Sequence, residues 1–322
     1  MRELLRPHHH EPTERVDRVL ESSDRGIRAV KLSLLGLGAT ATLQLVVLLA
    51  TNSVALLSDT LHNFGDALTA VPLWLAFNVG RRGANRRYTH GYGRAEDLAG
   101  IFIVVVIAAS ALVAGYETIT RFVDPVEIEN LPLVMMASAI GFVGNEVVAL
   151  YRIRVGTEIG SAALVADGLH ARTDGITSLA VLAGSLGVAA GYEVADPIAG
   201  AAITLAIVLI LLNAARDVYY RLMDAVDPSL VDRIEEILRD VEGVVGIDEV
   251  RVRWIGHHLR AEVDVAVDDS LSVVAAHEIA EHAHHALLHG IPRLASAIVH
   301  TNPSGTGYDP HGVTAHHFPE RG

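Results

Sequence analysis

Long stretches almost free of charge dominate the first two thirds of the chain. From Leu32 to Ser58 and from Leu98 to Tyr116 there is no formally charged residue at all. Runs of this length match the hydrocarbon thickness of a bilayer when coiled as helices. Lipid offers the backbone no hydrogen-bond partner, so each run must satisfy its own amides, and a helix does this within one segment. The pattern predicts a first span inside Leu32 to Ser58, closed by the polar turn Thr51-Asn52-Ser53. Five more are expected at about Val54 to Val79, Leu98 to Arg121, Leu131 to Tyr151, Gly160 to Gly187 and Ile198 to Asn213. The third, uncharged along most of its length, is expected to face lipid, and the second and fifth to lie inside the bundle.

Loop charges orient such a bundle. Arginine collects after the second span (Arg81, Arg82, Arg86, Arg87), after the fourth (Arg152, Arg154) and after the sixth (Arg216, Arg221). The loops after spans one, three and five carry essentially none. The excess of arginine marks the cytoplasmic side, so both termini are expected there, in a multi-pass protein of the cell membrane. Residues 1–26 are polar, with His8, His9 and His10 in a row. They lack the short apolar core of a signal peptide and are expected to form a tail. A net charge of −13 argues against a nucleic-acid partner. With no cysteine in the chain, any metal must be held by His, Asp or Glu.

Two of the apolar stretches carry the same pattern, D-x-L-H-x-x-x-D. It runs from Asp59 through His62 to Asp66, and again from Asp167 through His170 to Asp174. On a helix, residues four apart share a face. His62 with Asp66 and His170 with Asp174 therefore form two half-sites, and two such helices packed together supply two imidazoles and two carboxylates. That set suits a tetrahedral divalent ion, zinc above all, with cadmium and cobalt compatible with the same ligands. Ionisable groups in a span are costly and mark ion pathways. Asp59 and Asp167, three residues before each histidine, are candidates for orienting the rings or relaying protons, or alternatively for bonding to neighbouring helices.

From about residue 223 the composition changes. Asp227 and Pro228 open an amphipathic helix (Leu230, Ile234, Ile237, Leu238), and Gly243 and Gly246 close it. Glu249 to Ile255 and Leu259 to Val267 alternate as strands, Ser272 to His289 reads as a second helix, and Leu294 to His300 as a last strand. This predicts a small α+β domain over residues 223–303, after a transmembrane domain over 27–220 and before a tail over 304–322 with His311, His316 and His317. The helix carrying His277, Glu281, His285 and His289 places them in one stripe, best read as a solvated face. It lacks the spacing of a zinc protease helix, since Glu281 stands where the second histidine would be.

The paired motifs, together with Gly91-Tyr92-Gly93-Arg94-Ala95-Glu96 and Asp196-Pro197-Ile198-Ala199-Gly200, resemble the cation diffusion facilitator family over residues 27 to 303. The resemblance implies a six-helix transmembrane bundle followed by a cytoplasmic ferredoxin-like, metallochaperone-like α+β domain. It implies a homodimer that exports zinc or a related divalent ion in exchange for protons. His62, Asp66, His170 and Asp174 match the family's transport ligands. A cytoplasmic regulatory site is suggested at Asp248, Asp264, His277 and His300, with Asn302 where an acidic ligand is expected. The loop metal site of some relatives is not expected, because His90 is surrounded by Arg86, Arg87 and Arg94.

These residues point to a transporter. Metal binds neutral His and ionised Asp, so proton binding and metal binding compete at the same atoms. A membrane metal sensor and an intramembrane metal-dependent hydrolase are the rival readings. The hydrolase would need an open coordination position that a four-ligand cage does not leave.

Overall fold

The computed structural model describes residues 12–51, 70–123, 131–192 and 195–305. They fall into two compact units, divided after Leu222.

The first unit is helical: α1 (Pro12–Thr51), α2 (Ala70–Gly80), α3 (Arg94–Val123), α4 (Leu131–Ile159), α5 (Ala162–Ala189) and α6 (Ala195–Leu222). By length and composition Glu21–Val46, Arg94–Thr120, Leu131–Ile159 and Ile198–Leu222 are each sufficient to cross a bilayer. α4 packs on α5, α5 on α6, α3 on both α5 and α6, and α1 on α4. Their shared core is apolar, with Val30, Leu73, Phe77, Ile103, Ile107, Leu164 and Ile207 buried. Leu98, Val105, Leu112 and Tyr116 on α3, and Leu205, Leu209 and Leu212 on α6, stay exposed, as side chains facing lipid do.

Two expectations need correction here. The polar N-terminal stretch is not a tail as far as residue 26: it is helical from Pro12. Near the helix ends, Asp24 pairs with Arg81 at 2.7 Å and Arg25 pairs with Glu158, so the charges that look like a tail tie α1 to the chain beside α2 and to α4. The fourth span does not end at Tyr151. α4 continues to Ile159, and Arg152 is buried inside it.

α4 and α5 are joined by only Gly160 and Ser161. Gly160 takes a left-handed φ of 79°, which glycine adopts without steric cost. Ser161 caps α5, its hydroxyl accepting the amide of Leu164 at 3.1 Å. Arg221 of α6 donates to the Gly160 carbonyl at 2.8 Å, and Arg94 of α3 donates to the Arg221 carbonyl at 3.3 Å. So short a turn makes α4 and α5 antiparallel neighbours, and residues equidistant from it meet.

The second unit is an α+β domain: α7 (Pro228–Arg239), β1 (Gly246–Ile255), β2 (His258–Val267), α8 (Val273–Gly290) and β3 (Leu294–Pro303). The strand order is β1-β2-β3, with β1 antiparallel and β3 parallel to β2. Asp227 caps α7 and Ser272 caps α8. Alternation along β2 turns Leu259, Ala261, Val263 and Val265 onto Ile234 and Leu238 of α7 and Ala283 and Leu287 of α8. The opposite sheet face carries Arg260, Glu262 and Asp264. The element order and the helix-covered sheet with one open face are those expected of a ferredoxin-like unit; the strands begin up to three residues earlier and end up to three later than periodicity alone suggests.

Candidate metal centre

α5 is rich in small residues and packs tightly, so its polar face is drawn into the protein. Asp167, His170, Thr173 and Asp174 are all buried on it. His170 Nε2 lies 3.8 Å from Asp174 Oδ2, and the two side chains are 1% and 5% exposed. A zinc ion about 2.0 Å from each atom in a tetrahedral site would set them near 3.3 Å, so the pair is open by about half an ångström, within reach of a small torsion. Thr173 donates its hydroxyl to the His170 carbonyl at 2.6 Å. Gln44 of α1 and Asn145 of α4 add buried amides to the interior of the same unit.

The other half of the expected ligand set, His62 and Asp66, lies outside the described residues, as does Asp59. Among the described residues no three His, Asp or Glu side chains gather closely enough to hold a metal ion. Within the described residues His170 and Asp174 stand together as a buried pair.

Asp167 has a definite partner. Arg152 Nη1 lies 3.0 Å from Asp167 Oδ2, with the side chains 1% and 0% exposed, and 3.5 Å from the Asp167 carbonyl oxygen. Two residues beyond His170, Arg172 meets Glu146 of α4 through two contacts, Nη2 to Oε1 at 2.9 Å and Nε to Oε2 at 3.3 Å. Sequence reasoning missed both α4 residues. A signal existed: Arg152 stands eight residues before Gly160 and Asp167 seven after it, so a hairpin turning at Gly160 brings them level.

In the second unit the suggested regulatory residues do not form one cluster within the chain. Asp264 and His300 are register partners on the open face of the sheet. His277 is exposed on α8, which covers the other face, and strand alternation keeps the two faces apart. Asp248 sits at an irregularity in β1 and accepts a hydrogen bond from Asn302 Nδ2 at 2.8 Å. His277, Glu281, His285 and His289 lie along α8 at four-residue spacing, as expected of one stripe, with the rings of His285 and His289 4.4 Å apart. His90 lies in the exposed arginine-rich loop between α2 and α3. The histidines of both terminal tails are outside the described residues.

Two family models match the two units along their length. Residues 30–223 match the cation efflux transmembrane domain, and residues 226–304 match the cation efflux protein cytoplasmic domain. The chain belongs to the cation efflux family. It is thus a multi-pass membrane transporter rather than an enzyme, the coarse reading that the resemblance implied. A probable cation efflux system protein of Mycobacterium tuberculosis is 54% identical over 307 residues, covering 95% of this chain and 92% of that one. The manganese efflux system protein MneP of Bacillus subtilis is 24% identical, covering 78% and 87%. A solved cadmium form of a MamM CTD variant covers 24% of this chain and 96% of its own at 32% identity, with a TM-score of 0.24.

Proposed function

We propose that this cation efflux protein exports a zinc-type divalent ion, Zn2+ with Cd2+ and Co2+ as further cargoes, from the cytoplasm in exchange for protons. The observation that carries this reading is the buried His170–Asp174 pair, one turn apart on α5. The same spacing recurs at His62 and Asp66, and together they supply two nitrogens and two carboxylate oxygens. Imidazole favours zinc, cobalt and cadmium over manganese and magnesium, and a four-donor set with two carboxylates neutralises a divalent ion.

The donors themselves account for the exchange. On the cytoplasmic side the ion displaces protons from the histidines and carboxylates. When the bundle opens outward, protons return to the imidazoles in competition with the ion, and the ion leaves. The arginine-rich loop between α2 and α3 and both termini are cytoplasmic in this reading. The C-terminal unit supports a homodimer, as the name of its matching family model suggests.

Transport by purified protein in sealed vesicles containing a zinc dye, with an imposed pH gradient, tests the reading. Zinc uptake that requires the gradient and is lost in His62→Ala and Asp174→Ala, with both variants still inserted and monodisperse, is the expected result. Uptake that survives in both variants overturns the site, and gradient-independent uptake overturns the exchange.

A further inference from the structure

Every ionised group buried in a membrane span needs a partner or a task. α5 carries Asp167, His170, Arg172 and Asp174 within eight residues. Arg172 is half-buried against Glu146. Asp167 needs a closer account. It stands seven residues before Asp174, about 20° away around an ideal helix, and three before His170, so it starts on the ligand face. Its carboxylate is nevertheless 3.0 Å from Arg152 of α4. The reason is the approach of the two helices. A Cβ added to Gly168 would meet Ile153 Cγ1 at 2.7 Å, the Ile153 backbone nitrogen at 2.9 Å and Arg152 Cβ at 3.0 Å. Arg152 therefore leaves α4 at a point of close contact with α5, beside both the side chain and the carbonyl of Asp167.

This pair is a poor stabiliser. Burying both charges costs most of what their attraction returns. Arg152 Nε and Nη2 and both carboxylate oxygens of Asp167 make no hydrogen bond among the described residues, so the 3.0 Å contact is an ion pair only. An apolar pair would hold two helices at least as well, so the retained charges point to function.

We propose that Arg152 is a positioning residue for transport. It neutralises Asp167 across the helix interface, and so sets the depth and rotation of the turn that carries His170 and Asp174. It also keeps Asp167 out of both the ligand set and the coupled protons. The inference rests on reading His170 and Asp174 as transport ligands.

The two single variants then err in opposite directions. Arg152→Gln leaves an unpaired carboxylate beside the cation: zinc binds more tightly, KM falls, and the maximal rate drops about tenfold or more as release slows. Asp167→Asn leaves an unpaired guanidinium there, which repels the cation: KM rises by about tenfold or more. The double variant Arg152→Gln/Asp167→Asn is neutral, isosteric at 167 and shorter at 152, with an amide able to hydrogen-bond at each position, and it returns transport to within about threefold of wild type with the same proton-to-zinc ratio. Vesicle uptake with simultaneous pH and zinc dyes reads all three, with monodispersity checked for each. If the singles do not fold, the double variant alone carries the test through its proton-to-zinc ratio. KM shifts in the same direction for both singles, a double variant no better than the singles, or a changed ratio in the double variant overturns the proposal. His170→Ala is measured alongside. If it transports with wild-type KM, the site reading and this inference fall together. If it is inactive while Arg152→Gln behaves as wild type, only the role of Arg152 falls.

Discussion

Asn302 donates from Nδ2 to Asp248 Oδ2 at 2.8 Å, joining the last strand of the C-terminal unit to the irregularity in its first strand. The strand between them makes room: Asn302 is in register with Ala266, whose side chain is a single methyl group. Asn302 is itself buried, 4% exposed, so its amide needs this partner. Asn302→Ala is expected to destabilise the unit by about 1 kcal/mol. Asn302→Asp sets two carboxylates against each other and raises the pKa of one in the folded state, so stability falls as pH rises towards neutrality and returns on acidification. Hydrogen exchange of β1 and β3 peptides in the full-length protein reads both, and faster exchange in Asn302→Asp at pH 5 than at pH 7, relative to wild type, contradicts it.

A second pH effect comes from the β1–β2 turn. Burial, with the neighbouring His257 adding to it, pushes the His258 imidazole down to about 3; the two rings are 3.9 Å apart. The unfolded chain titrates its histidine near pH 6.5. Between these values the unfolded state binds the proton and the folded state does not, so the stabilising contribution is complete above about pH 6.5 and is lost progressively towards pH 3. His258→Leu is expected to flatten this acid-side loss in the C-terminal unit. Hydrogen exchange between pH 4 and 7 checks it; an unchanged profile in the variant shows that another group is responsible.

Close packing of α4 on α5 predicts a steep cost for a single methyl group. Gly168→Ala must displace both the Ile153 side chain at 2.7 Å and its backbone nitrogen at 2.9 Å, at about 1–3 kcal/mol. Because it separates the hairpin beside Asp167, transport is expected to fall with it. Gly38 in α1 has open space around its missing Cβ, so Gly38→Ala serves as the control, neutral or stabilising by up to about 1 kcal/mol. Thermal melting and vesicle uptake of the two variants should diverge; equal behaviour shows that the hairpin yields more easily than its geometry implies.

Ligand softness predicts the cargo ranking. His170→Asp exchanges a nitrogen for a hard oxygen at a buried position, and zinc is expected to lose at least about tenfold of its preference over manganese. Competition between the two ions in vesicle uptake measures this. A ranking that does not move assigns selectivity to groups other than His170.

Much of the molecule is legible in one dimension because the signals are local. Uncharged runs mark helices, since hydrocarbon penalises a bare backbone wherever it occurs. The alternation of Leu259, Ala261, Val263 and Val265 marks a strand with one buried face, and that face is where the helices lie. His170 and Asp174 are one turn apart on any helix, so their convergence needs no knowledge of the neighbours.

Arg152 shows where this stops. Read along the chain, it comes after a run of apolar residues and counts as a loop arginine that orients the bundle. In the fold it is among the most deeply buried side chains, opposite Asp167. The same holds for Asp24 and Arg25, which read as a polar tail and in fact pair with Arg81 and Glu158 at the helix ends. Sequence by itself determined the helical transmembrane unit, the α+β unit and the four-residue spacing of each His–Asp pair, because helix and strand periodicities depend only on residues close together in the chain. Only the tertiary structure decided which charges face each other, because the cost of burying a charge depends on the group standing across the helix interface rather than on its neighbours in sequence.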